Sequence, residues 1–93
     1  MKLSRDDNVK QLVVQFQNGE FSKCEKETIS LLEHYKDDYF LHNFLGLCQY
    51  KLRKFSKSIT TYKNAIKIKK DYPEALNNLG SSLIEIGELK KAK

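Results

Sequence analysis

The sequence predicts an all-α fold, an α-solenoid of antiparallel helix–turn–helix repeats, on three observations. Residues recur at a fixed spacing of 34 positions, which is how a repeat array shows itself in sequence. Within each period, apolar side chains return every three to four residues and so line one face of a helix. The 93 residues include no Trp and a single Pro, and they are rich in Leu, Lys and Glu, which favour helix over sheet.

The repeat is carried by several columns of residues. Leu45-Gly46 returns as Leu79-Gly80, and Asn43 as Asn77. Phe21, Phe55 and Leu89 share the same spacing, as do Cys24, Ser58 and Ala92, a column of small side chains, and the bulky Phe16, Tyr50 and Ile84. Gly19 and Gly87 stand two periods apart, with Arg53 between them. These columns divide a single small domain, 1–93, into repeats at 5–38, 39–72 and 73–93, the last incomplete.

Each period splits into two helical stretches. Residues 5–18 open on Ser4-Arg5-Asp6-Asp7, a candidate capping box, and close at Asn18-Gly19, a left-handed stop. Residues 21–35 place Phe21, Cys24, Thr28, Leu31, Leu32 and Tyr35 on one face. Residues 39–51 are apolar nearly all round, as expected of a helix packed on both sides. Residues 55–69 return to one apolar face through Phe55, Ile59, Tyr62 and Ile66. Pro73 opens a fifth helix over 73–85, where its missing N–H costs nothing. Gly87 is expected to end that helix, with a sixth starting near Glu88. Connections this short force neighbouring helices antiparallel. Gly46 and Gly80 sit inside helices, where Gly is disfavoured by ~1 kcal/mol relative to Ala. They are therefore expected where another helix passes too close for a side chain, with Cys24, Ser58 and Ala92 opposite them.

Charge and composition narrow the function. The net charge of +5 divides as −3 over residues 5–38, +7 over 39–72 and zero over 73–93, Lys2 adding the rest. No window holds the ~18 apolar residues of a membrane span, and Met1 to Asp7 lacks a signal-peptide run, so a cytoplasmic location is expected. Cys24 and Cys48 form no CxxC pair and read as free buried thiols. His34 and His42 have no Cys, Asp or Glu at metal-ligand spacing, and no glycine-rich phosphate loop is present. No catalytic, metal or cofactor site is expected, and the chain does not read as an enzyme. Asp6-Asp7 and Asp37-Asp38 precede helices, where acids suit the positive end of the dipole.

The residues resemble the tetratricopeptide repeat family, whose signature runs W-x2-L-G-x2-Y, then A-x3-F, then P. His42-x2-Leu45-Gly46-x2-Gln49 and Leu76-x2-Leu79-Gly80-x2-Leu83 match it in part, and Ser58-x3-Tyr62 covers the middle of the second repeat. His42 stands in the Trp slot and reads as a packing residue. Residues 5–38 are the weakest copy, with Leu12 in place of the Gly. The resemblance implies about two and a half repeats in a right-handed superhelix, whose first helices line a concave groove for an extended peptide or a partner helix. Carried over residue by residue, the groove positions are Val9, Val13 and Phe16; Phe40, Asn43, Leu47 and Tyr50; and Asn77, Asn78, Ser81 and Ile84. Asn suits such a groove because one amide both donates to and accepts from a peptide backbone. The alternative for Asn43 and Asn77 is that they cap neighbouring backbone.

Departures from the pattern limit what the resemblance implies. Family members that clamp a chaperone's C-terminal carboxylate use Lys, Asn and Arg at slots held here by Val9, Val13, Phe44, Glu74 and Asn78, so that mode is not expected. Asn77-Asn78 is similar to the asparagine ladder of sugar-transferring members, but Phe44 interrupts it. The expected function is therefore a protein-interaction module that takes an apolar peptide or helix. Alternatives are the N-terminal arm of a larger transferase, and nucleic-acid binding through the basic residues Lys51, Arg53, Lys54, Lys57, Lys63, Lys67, Lys69 and Lys70. Seven Lys to one Arg with no stacking platform favour a solvated convex face for these. The third repeat stops part-way along its second helix and leaves Leu76, Leu79 and Leu83 poorly covered. Either the array is longer, the preferred reading because ~3 repeats are normally required for stability, or the open end self-associates.

Overall fold

The computed structural model describes residues 3–91, which form five helices: α1 (Arg5–Gln17), α2 (Phe21–Leu32), α3 (Tyr39–Lys51), α4 (Phe55–Ile68) and α5 (Pro73–Lys91). First helices begin at Arg5, Tyr39 and Pro73 and second helices at Phe21 and Phe55, so the 34-residue spacing read in the sequence sets the helix starts. Consecutive helices pack on one another, α3 also touches α5, and the molecule extends 50 × 29 × 18 Å. The fold is an all-α stack of helical repeats.

Caps explain the starts. The Ser4 hydroxyl accepts the Asp7 N–H at 3.1 Å, and the Asp38 carboxylate accepts the Leu41 N–H at 3.1 Å. The turns inside the two full repeats are built alike. Gly19 N–H donates to Phe16 O and Glu20 N–H to Gln15 O, while Arg53 N–H donates to Tyr50 O and Lys54 N–H to Gln49 O. Both are left-handed helix stops that satisfy the last carbonyls of the first helix. The stop requires positive φ, which is +80° at Gly19 and 62° at Arg53. Arg53 holds a conformation that favours glycine, with its guanidinium 5.3 Å from the centroid of the Phe55 ring.

The third copy of that turn departs from expectation. α5 runs on through Gly87 to Lys91, and no sixth helix begins at Glu88. Gly87 keeps a negative φ, because extending a helix adds one hydrogen bond per residue fixed. α2 ends earlier than the periodicity implies, at Leu32, where Glu33 and His34 tighten into a turn on the Ser30 and Leu31 carbonyls.

Helix interfaces rest on small side chains, though not where the column was expected. Cys24 lies in one buried cluster with Cys48, its thiol donating to the Leu12 carbonyl at 3.5 Å, and Ser58 lies against Ser82, Oγ to Oγ at 2.7 Å. All four are fully buried, and they join the second helix of one repeat to the first helix of the next. Gly46 instead faces Tyr62. A Cβ on Gly46 would come 2.6 Å from Cδ1 and 2.9 Å from Cζ of Tyr62, and closer still to Cε1. Tyr62 is fully buried and its hydroxyl finds no hydrogen-bond partner, so its contribution there is volume. Gly80 does not share this contact: nothing lies within 4 Å of its missing Cβ. Ala92, the last member of the small column, lies outside the described residues. The core runs through Leu12, Cys24, Leu41, Phe44 and Cys48, with a second cluster at Ala65, Tyr72 and Ala75.

Variants at three positions test these contacts and turns. Gly46→Ala should lower stability by about 1–3 kcal/mol, because the Tyr62 ring must move. Gly80→Ala should raise it by about 0.5–1 kcal/mol in dilute solution, since helix propensity alone changes there. Urea titrations of both variants check this. Arg53→Gly should be more stable than Arg53→Ala by about 1 kcal/mol in the same assay, because both lose the ring contact and glycine alone relieves the left-handed strain.

Candidate functional site

The first helices α1, α3 and α5 form a row, tied at three levels. At one end the Arg5 guanidinium holds Asp38 through Nε at 2.8 Å and a second nitrogen at 3.2 Å, and it also lies 5.5 Å from the Phe40 ring centroid. In the middle Phe16 packs on Phe44 at 5.5 Å between centroids, and Phe40 stacks on Phe44 at 6.1 Å. Between α3 and α5 the Asn78 amide donates to the Asn43 carbonyl oxygen at 3.0 Å, and the Tyr50 hydroxyl donates to Glu85 at 3.4 Å.

The residues assigned to the groove occupy one side of this row, with unequal exposure. Val9, Val13, Phe16 and Phe40 are half-buried, each with one flank on the core around Leu12 and Phe44. Leu47 and Tyr50 are also half-buried. Asn77, Ser81 and Ile84 stand out from α5, Ile84 being 65% exposed. Asn43 is only 7% exposed and its side-chain oxygen is bonded to Asn78, so this pair ties two helices together. Neither Asn43 nor Asn77 forms a side-chain cap on neighbouring backbone; the Asn77 carbonyl instead accepts the Ser81 hydroxyl at 3.3 Å.

Other sequence candidates find structural roles. The His42 ring donates through Nε2 to the Lys36 carbonyl at 2.8 Å and so braces the loop before α3. Among the described residues, no group of three or more His, Cys, Asp or Glu is placed to hold a metal ion. Cys24 and Cys48 are free and fully buried, and burial pushes the Cys48 thiol up to about 12, which keeps it protonated and unreactive. Three of the basic residues around α4 are engaged within the chain. Lys54 pairs with Glu25 at 2.7 Å, Arg53 covers Phe55, and Lys69 lies 4.7 Å from the Tyr39 and 5.2 Å from the Tyr72 ring centroids. The aromatics near the basic face are thus already occupied by its own cations. A depression of about 420 Å³ between α1 and α2 is lined mainly by Asn8, Gln11, Lys26, Glu27 and His34 and lies off the row of first helices.

A family model described as TPR repeat matches residues 46–87. Over these residues, just under half of its length, the chain is similar to tetratricopeptide repeats. No curated protein matches it at a significant level. The matched stretch runs from the glycine under Tyr62 to the glycine that α5 passes through, and so takes in the second half of α3, all of α4 and most of α5. Tetratricopeptide repeats are in general protein-interaction modules, and typically non-catalytic scaffolds. No helix among the described residues is long and apolar enough to cross a membrane.

The Arg5–Asp38 pair left only a partial signal in the sequence, the acidic helix start at Asp37-Asp38. Burial pushes the Asp38 carboxyl up, but the Arg5 guanidinium and the Leu41 N–H outweigh it and hold the carboxyl below its ordinary value. A depressed folded-state pKa means the ionised form stabilises the fold above the unfolded value of ~3.9, and that gain is lost as pH falls through the folded value. Asp38→Ala should therefore lower stability by about 1–2 kcal/mol at neutral pH. Thermal melts against pH should show this deficit shrinking below about pH 4.

Proposed function

We propose that this chain binds a protein segment, an extended peptide or a short helix with apolar side chains, across the row of first helices. The observation that carries the reading is the exposure of Ile84 beside half-buried Leu47 and Tyr50, continuing through Phe40 and Phe16 to Val13. A row of apolar and aromatic side chains with one flank still open is what anchor residues of a partner fill. The exposed amide of Asn77 and hydroxyl of Ser81 add donors and acceptors for a peptide backbone along the same side of α5. Asn43 and Asn78 support the floor, since their bond to each other fixes the spacing of α3 and α5.

The charge around this side refines the partner. Helical spacing puts Glu74, Glu85 and Glu88 on the side of α5 that carries Asn77, Ser81 and Ile84, whereas the lysines cluster on α4 and its flanking turns. The segment that fits has apolar anchors flanked by Lys or Arg. Nucleic acid is disfavoured by the engagement of Lys54, Arg53 and Lys69 within the chain.

Peptides selected on the immobilised protein from a random library are expected to carry paired apolar residues with basic flanks. Ile84→Asp should weaken the best of them at least about tenfold, a loss of about 1.4 kcal/mol, and Asn77→Ala by a smaller factor. Both side chains are exposed, so helicity should be retained. Peptides that bind Ile84→Asp as well as the parent would show that this face is not the site.

A further inference from the structure

We infer that Tyr39 and Tyr72 form an aromatic corner that takes an arginine side chain of the bound segment, and that Lys69 is the chain's own occupant of it. The inference rests on the peptide surface proposed above and adds a subsite at its end, where α3 and α5 begin and Tyr39 adjoins Phe40. The two rings meet edge to face at 82°, their centroids 5.2 Å apart. Lys69 Nζ lies 4.7 Å from the Tyr39 centroid and 5.2 Å from that of Tyr72, so a cation already fills the angle between the walls. Tyr72 is 5% exposed and fixed by its surroundings, whereas Tyr39 is 40% exposed and keeps an open flank.

The same place one repeat earlier shows how this corner differs. The slots of Tyr39, Tyr72 and Lys69 are held 34 residues before by Arg5, Asp38 and Tyr35. There the cation belongs to the first helix, and the Asp38 carboxylate fastens it at 2.8 Å. At the second junction a ring stands in the carboxylate's slot, and Lys69 pairs with no carboxylate among the described residues. An exposed ammonium held only by ring faces is weakly bound and exchangeable. Lys69 also lies just past the last turn of α4 in extended backbone, so its side chain can swing away without unwinding a helix.

Chemistry favours arginine as the incoming cation. A guanidinium is planar and less strongly hydrated than an ammonium, so it gives up less water to lie on a ring. Arg5 over Phe40 and Arg53 over Phe55 make this contact within the chain. Burial pushes the Tyr72 phenol above its ordinary value and the Glu74 charge adds to this, so the ring stays neutral with a carboxylate near it. A segment whose apolar anchor rests on Phe40 carries its basic flank to Tyr39, the next residue along α3.

N-acetylarginine amide is the probe, followed by the NMR signals of the Tyr39 and Tyr72 rings. Lys69→Ala empties the corner and should bind it about threefold or more tighter than the parent. Lys70→Ala removes the same charge one residue away and should stay at the parent value. Tyr39→Leu added to Lys69→Ala should cancel the gain, with helicity by circular dichroism unchanged throughout. Peptides with an arginine flank, selected on the parent, should follow the same order and lose the gain when that arginine is replaced by glutamine. Equal affinities of Lys69→Ala and Lys70→Ala for the probe overturn the inference, as do selected peptides that bind these two variants equally. Failure of the peptide surface itself shows separately, as peptides indifferent to Ile84→Asp.

Discussion

The stack depends on how closely two helices can approach, and the approach is set by the smallest side chains between them. Cys24 with Cys48 and Ser58 with Ser82 occupy the same slots one repeat apart, between the second helix of one repeat and the first of the next. Both side chains are small, so the helices can approach closely at each interface while the chemistry changes. In one interface two thiols sit in an apolar core; in the other a hydroxyl bond supplies direction. Larger side chains here would separate the repeats and uncouple α1 from α3 and α3 from α5. The row of first helices, and any surface built on it, would go with them.

Within a repeat the fit is by compensation. The slots that hold Gly46 and Tyr62 in the second repeat hold Leu12 and Thr28 in the first, so the bulk moves from one helix to the other. A glycine in this fold is therefore only half of a pair, and its meaning depends on what stands across from it. Gly80 has the first half without the second, which is why its surroundings are open.

Much of the fold was legible in the sequence because helix starts are local events. Ser4, Asp38 and Pro73 act on their own first turns, and the apolar period needs no knowledge of the partner helix. The end of α5 was not legible for the converse reason. Gly87 can stop a helix only where the chain gains by turning back, and that gain is tertiary. For the candidate surface, the resemblance to the repeat family assigned Phe40, Leu47, Tyr50, Asn77 and Ser81 to one side of the first helices. It could not separate Asn43, which is spent on Asn78, from Ile84, which is free, because both occupy first-helix slots of the repeat. Arg5 with Asp38 was likewise hidden, since the two lie 33 residues apart and only packing joins them.

The uneven burial of the helices has a consequence for how the molecule comes apart. α3 buries seven of its residues, whereas α1 buries one and α5 two. In a one-dimensional array each helix is held only by those beside it, so the centre opens only after an end has been released. Amide protons of α3 are then expected to exchange later than those of α1 and α5. A partner lying across the row of first helices would draw α1 and α5 into the cooperative unit that α3 anchors.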